Sequence, residues 1–198
     1  MLATIRRVQT GFTLIELMVV VVILAILSAI AYPTYMHQQR RAQAVEASET
    51  LTRIVQAQES YRAEFTTYSD TSNDLGLSGV NAGTTGLLGG NWHPALGAPR
   101  AGPGGKIDFY IGLPRAWGQL GVRPRQFVRY SYQTVAGNPG VLPTLGAAGD
   151  LGYGSLPMAQ RGPWYYAIGS GDLDGDATYS RFEVSNLFLG LRITGETE

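Results

Sequence analysis

The chain has 198 residues, 15 basic and 15 acidic, a formal charge of zero and no cysteine. That length suits one globular domain with an additional helix. The missing thiols exclude a disulfide framework and a thiolate metal site, and the balanced charge argues against a generic polyanion binder.

Residues 1–11 are short and polar, with Arg6 and Arg7 as their charges. Residues 12–31 are twenty positions of mostly Val, Ile, Leu, Ala, Met and Phe, in which Glu16 is the only charge. About twenty such residues suffice for a helix to cross ~30 Å of hydrocarbon. The two arginines hold the N-terminal end in the cytoplasm under the positive-inside rule, so the rest of the chain is predicted to lie across the membrane. An ordinary secretory signal would use the same arginines and cleave at Ala29-Ile30-Ala31. Glu16 argues against that reading, because a carboxylate in an apolar helix is costly and is kept where it has a partner and a role. A segment discarded after export gains nothing from it.

Gly11 followed by Phe12-Thr13-Leu14-Ile15-Glu16 resembles the processing site of the type IV prepilins and type II secretion pseudoprepilins. The resemblance is strong over residues 11–33 and rests on architecture beyond them. In that family a membrane aspartyl peptidase cuts after the glycine and methylates the new amino terminus, so the resemblance implies that the apolar run stays on the mature protein. Glycine lacks a Cβ and lets an extended backbone approach a protease cleft closely. A cut there puts a cationic amine on Phe12, one helical turn from Glu16. The two are natural partners in a low dielectric, within one chain or between neighbouring subunits, where an unpaired charge is expensive. In the family the second arrangement is the usual account of subunit docking. Removing Arg6 and Arg7 with the leader leaves 13 basic residues against 15 acidic.

Pro33 follows the apolar run, where the loss of a backbone donor predicts a kink; the family has a proline near this position where the helix bends or unwinds in the filament. Beyond it the pattern becomes one-sided. Ala47, Leu51, Ile54, Val55, Tyr61 and Phe65 recur at three- and four-residue steps among charged positions, which predicts an amphipathic helix continuous over residues 12–65. Glu49 with Arg53 and Glu59 with Arg62 are spaced for pairing along that helix; Glu46 and Arg41 are left open as bridges between subunits.

Residues 66–73 are a polar exit, and residues 76–105 hold ten glycines and read as a surface loop anchored by Trp92 and Leu96. His93 reads as a loop residue, and neither it nor His37 has a partner histidine at metal spacing. Strands are predicted at residues 107–113, where Ile107, Phe109, Ile111 and Leu113 alternate with polar positions, and at 127–133, 164–168 and 179–184, with a short piece at 187–193. Residues 135–162 read as a Gly/Pro-rich insertion. A long helix followed by an antiparallel sheet of about four strands is α+β, which is also the type IV pilin fold. The organisation is then a leader at 1–11, a transmembrane and polymerisation helix at 12–35, and a periplasmic or extracellular head at 36–198.

Two constellations in the head carry chemistry. Counting from Asp172, carboxylates at Asp172, Asp174, Asp176 and Glu183, with Thr178 and Ser180 between, fall at the ligand spacing of an EF-hand calcium loop. Position six is Ala177 where glycine belongs, and the flanks read as strands. The alternative is a turn whose Asp and Gly supply only geometry, though three unneutralised aspartates would repel one another. Some type II secretion pseudopilins bind calcium in the head, and an ion could staple a chain without disulfides. The second constellation, Arg115, Arg123, Arg125 and Arg129 among Trp117, Phe127, Tyr130 and Tyr132, could track single-stranded nucleic acid. A solvated or carboxylate-paired face is the favoured reading, because the head has no large basic excess.

No G-x-S-x-G elbow, H-E-x-x-H or P-loop is present, so the expectation is a non-enzyme. The resemblance implies a structural subunit of a type IV pilus-like filament, with other pilin subunits, the prepilin peptidase and the inner-membrane assembly machinery as partners. A type II secretion pseudopilin with a calcium-stabilised head, and a pilus-tip module binding DNA or surfaces, are the alternatives.

Overall fold

The computed structural model describes residues 12–72, 92–95, 102, 105–140, 162–173, 175, 178–187 and 190–194. It forms two compact units, Met1–Gln39 and Arg40–Glu198. Helix α1, Leu14–Phe65, supplies residues to both. Its first part is rich in β-branched residues that favour helices weakly in water. In hydrocarbon, however, a single chain satisfies its backbone groups most simply as a helix. The helix continues through Pro33, whose missing N–H leaves the Ala29 carbonyl without its usual donor. One residue on, the Thr34 hydroxyl donates to the Ile30 carbonyl at 3.3 Å.

In the second unit α1 buries Ala44, Ala47, Thr50, Leu51, Ile54 and Gln58, a stripe at three- and four-residue steps. Phe65, expected on that stripe, is 51% exposed. The helix ends there because Thr66 adopts a left-handed φ of 63° and donates its N–H to the Arg62 carbonyl at 2.8 Å. That conformation is strained for a β-branched residue.

The stripe packs on a four-stranded antiparallel sheet of order β3-β4-β5-β6: Ser131–Gly137, Trp164–Gly171, Ser180–Ser185 and Arg192–Thr194. Because side chains alternate across a strand, the aligned row Tyr132, Gly169, Phe182 and Ile193 lies on one face. Tyr132 and Phe182 from that row join Ala44, Ala47, Leu51 and Ile54 in one core. The other face carries Gln133, Ile168 and Glu183 and is buried as well.

A separate pair, β1 (Ile107–Asp108) with β2 (Phe127–Val128), flanks the short helix α2, Arg115–Leu120. The strand expected at 107–113 is therefore only two residues long. The Asp108 carboxylate accepts the Tyr110 N–H at 2.9 Å, and Gly112 takes a φ of 66°, so the chain turns back. Phe109 is buried and Ile111 is not. The strand expected at 127–133 divides at Arg129 and Tyr130, and its second part runs on to Gly137, inside the stretch read as insertion. Helix α2 was legible in hindsight, with Pro114 before it and Gly121 after it at a φ of 71°.

Gln58 supplies the tie that residue patterning did not suggest. Its amide donates to the Ser69 carbonyl at 2.7 Å and to the Thr134 hydroxyl at 3.1 Å, and accepts the Ser69 N–H at 2.9 Å. A buried amide with these bonds avoids the desolvation cost of an unpaired polar group. It acts as a strand partner, fixing the exit of α1 against β3. Next to it Asp70 accepts the Ser72 N–H at 2.9 Å, while burial pushes its carboxyl up to about 6.

At the end of β3, a Cβ on Gly137 would lie 2.2 Å from Cζ2 of the buried Trp164, its partner across the ladder. Gly137→Ala is expected to cost ~1–3 kcal/mol through overpacking, read as a lower midpoint in chemical denaturation; an unchanged midpoint would contradict this packing.

Candidate assembly site

The first turn of α1 is built by Thr13 and Glu16. The Glu16 carboxylate accepts the Thr13 N–H at 2.9 Å and the Thr13 hydroxyl at 2.7 Å, while that hydroxyl lies 3.4 Å from the Glu16 N–H. This is a capping box: the residue before the helix and the third residue within it satisfy each other's otherwise unpaired donors. Sequence reasoning assigned Glu16 to the Phe12 amine and passed over Thr13. The signal was present, since Thr-x-x-Glu before an apolar run is a helix-start signature. The cap also explains why α1 begins at Leu14 and not at Phe12. Gly11, on the other side of the expected cut, lies outside the described residues.

Glu16 lines a shallow groove together with Phe12, Ile15, Val19 and Val20. The groove belongs to a larger apolar surface. Large hydrophobic side chains along the first part of α1, from Phe12 through Ile30, are about half or more exposed, in every direction around the helix. The helix is long and apolar enough to cross a membrane. A helix that is apolar all round has no solvated face and needs lipid or other helices around it.

The candidate calcium residues are brought together only in part. Asp172 leaves β4, and its Oδ1 accepts the Gly175 N–H at 2.7 Å. Thr178 is exposed ahead of β5, and Asp174 and Asp176 lie outside the described residues. Ser180 and Glu183 are both buried in β5. Being three apart on a strand they point to opposite faces, Ser180 sharing the face of Phe182 and Glu183 the reverse. The EF-hand count extends into the strand expected at 179–184, and that strand separates its last two ligands. Among the described residues no group of three or more His, Cys, Asp or Glu is placed to hold a metal.

Of the arginines weighed between a nucleic-acid patch and a carboxylate-paired face, Arg125 pairs with a carboxylate of α1, and Arg123 and Arg129 reach that helix through backbone atoms. Arg125 pairs with Glu49 at 3.2 Å, and Arg53 pairs with the same carboxylate at 2.9 Å while donating to the Arg123 carbonyl at 3.2 Å. Arg53 first, then Arg125, holds the Glu49 carboxyl below its usual range. One turn earlier, Glu46 accepts the Arg129 N–H at 2.6 Å and pairs with Lys106 at 2.9 Å. Glu46, left open as a bridge between subunits, thus clamps β1 and β2 to the helix of its own chain. His93, expected in a loop, is buried instead: it bridges to Tyr132 and its ring sits edge-on to Phe109. Burial lowers its pKa, so its ring is uncharged at neutral pH.

Residues 6–32 match the family described as the prokaryotic N-terminal methylation motif. The chain is 46% identical over 68 residues to the type IV major pilin protein PilA of Myxococcus xanthus, covering 34% of this chain and 31% of that one. It is 41% identical over 70 residues to the type II secretion system core protein G of Pseudomonas aeruginosa, 35% of this chain and 49% of that one. A fimbrial protein of the same species is 40% identical over 78 residues, 36% of this chain and 51% of that one. The chain thus spans between about a third and a half of the length of these relatives, and no solved structure matches it. The protein carries the prepilin N-terminal methylation motif, and about a third of its length is related to type IV pilins and to type II secretion core protein G.

Proposed function

We propose that this protein is a structural subunit of a type IV pilus-like filament, without enzymatic activity. It enters the inner membrane with residues 1–11 in the cytoplasm, is cut after Gly11 by a prepilin peptidase and methylated on Phe12, and polymerises through residues 12–35. The observation that carries this reading is the all-round apolar surface of the first part of α1, residues 14–31, in which Glu16 is the one charge. Lipid covers that surface before assembly, and the same segments of neighbouring subunits, with the assembly machinery, replace the lipid afterwards. A pseudopilus of a type II secretion system is the alternative, supported by similarity to core protein G over about a third of the chain and by the absence of cysteine.

Cleavage changes what surrounds Glu16. In the uncut chain its carboxylate is held by Thr13; the new amine on Phe12 adds a full positive charge next to Thr13, four residues before Glu16. The Thr13 bonds already end on an ionised acceptor, and an amine brings in addition an opposite full charge, so the amine of the same chain or of a neighbour competes with Thr13 for the carboxylate. Glu16→Ala should leave membrane insertion unchanged and reduce the amount of protein in sheared filaments at least tenfold. Incorporation at the wild-type level would contradict the docking role.

Calcium is retained as a proposal for the loop between β4 and β5. Asp172, Asp174, Asp176 and Thr178 are its candidate ligands, oxygen donors suited to a hard cation, with Ser180 and Glu183 outside the set. What supports it is the density of like charge in a chain without disulfides. A bound ion stabilises the folded state in proportion to its occupancy, so millimolar calcium should raise the melting temperature of the full chain in detergent by several degrees and chelator should reverse the rise. Identical melting in both conditions would remove the site.

A further inference from the structure

The second unit leaves two apolar clusters in solvent whose charged rims have opposite sign. One is the turn after β1, where Tyr110 is 43% and Ile111 75% exposed. Turns ordinarily carry Gly, Asn, Asp or Ser at such positions, and an isoleucine at that exposure contributes nothing to the core. The Tyr110 hydroxyl donates to the Pro124 carbonyl at 3.0 Å, which holds the tip beside Arg123 and Arg125. The segments joined there carry Arg53, Arg123 and Arg125 against Asp108 and Glu49. The other cluster is the end of α1, where half-exposed Phe65 has its ring centroid 4.5 Å from that of Tyr61, which is itself partly buried against the core. There Glu59 and Glu64 outweigh Arg62.

We propose that the Tyr110 and Ile111 tip of one copy docks on the Tyr61 and Phe65 helix end of a second copy of this chain, with the arginine rim facing Glu59 and Glu64. The two patches do not overlap. Arg53 and Arg125 tie the tip to the level of Glu49 and Arg53 on α1, and Phe65 lies twelve residues further along the helix, or ~18 Å at 1.5 Å per residue. Two different patches that fit each other make a head-to-tail contact, which repeats from copy to copy and yields an open helical array when the rotation does not close. Exposed ion pairs add little affinity; the apolar side chains hold the contact, and the rims set its direction. The contact rests on the filament reading above and adds to it a second, lateral joint between heads.

The chain has no cysteine, so introduced thiols report without background. Full-length protein assembled in its host is treated with a short bis-maleimide linker and resolved on denaturing gels. The double variant Ile111→Cys with Phe65→Cys should give a ladder of dimers, trimers and higher species. Each single variant should stay monomeric, and the two singles produced together should give dimers only. Val22→Cys, in the apolar segment, reports assembly independently. Linked Val22→Cys with an unlinked double variant would overturn the head contact and leave the filament reading standing. Dimers from Ile111→Cys alone would overturn it in favour of a symmetric contact. Loss of linkage in Val22→Cys and in the double variant alike would overturn both.

Discussion

One continuous helix has to satisfy two solvents, and the rest of the structure follows from that requirement. Over the first part of α1 apolar side chains point outward in all directions, a surface that water does not tolerate and lipid or other helices do. From Ala44 onward the same helix narrows its apolar content to a stripe and closes it under a sheet. Since the backbone geometry is the same throughout, only the side-chain pattern tells the two parts apart. The head can therefore be anchored on half of a helix whose other half remains available for assembly.

The head holds its half of the helix through polar ties as much as through the core. Glu46 and Glu49 gather Lys106, Arg125 and the Arg129 backbone. Three turns on, Gln58 bonds Ser69 and Thr134. Farther along, Tyr68 donates to Glu59, accepts from Arg62 and reaches Asn186 beyond β5. Each tie joins α1 to a different part of the chain, so together they fix the helix against β1, β2, β3 and the end of β5. At the opposite end Glu16 does comparable work locally, closing the first turn with Thr13.

The long helix, the sheet and the motif around Gly11 were legible in sequence because each has a strong local signature: twenty apolar residues, a stripe at helical spacing, alternating strands, and a glycine before an apolar run with one carboxylate. What escaped was set by partners far away in the chain. The alternation at 107–113 looked like a strand, but Asp108 and Gly112 turn it into a tip. Residues 135–137 looked like loop, but the ladder with β4 extends through them. The EF-hand spacing at 172–183 ran into the strand expected at 179–184, and the pairing of β5 sets Ser180 and Glu183 on opposite faces. For the arginines near Trp117 the sequence favoured a solvated or carboxylate-paired face without naming the carboxylate, which for Arg125 is Glu49 of α1.

The central claim is that the apolar helix remains on the mature protein as its assembly element. The most direct measurement is mass spectrometry of the amino terminus of protein recovered from the membrane and from filaments. The account predicts a mature chain beginning at N-methylated Phe12 with residues 12–31 retained. A mature chain beginning at Tyr32, from a cut after Ala29-Ile30-Ala31, would contradict it.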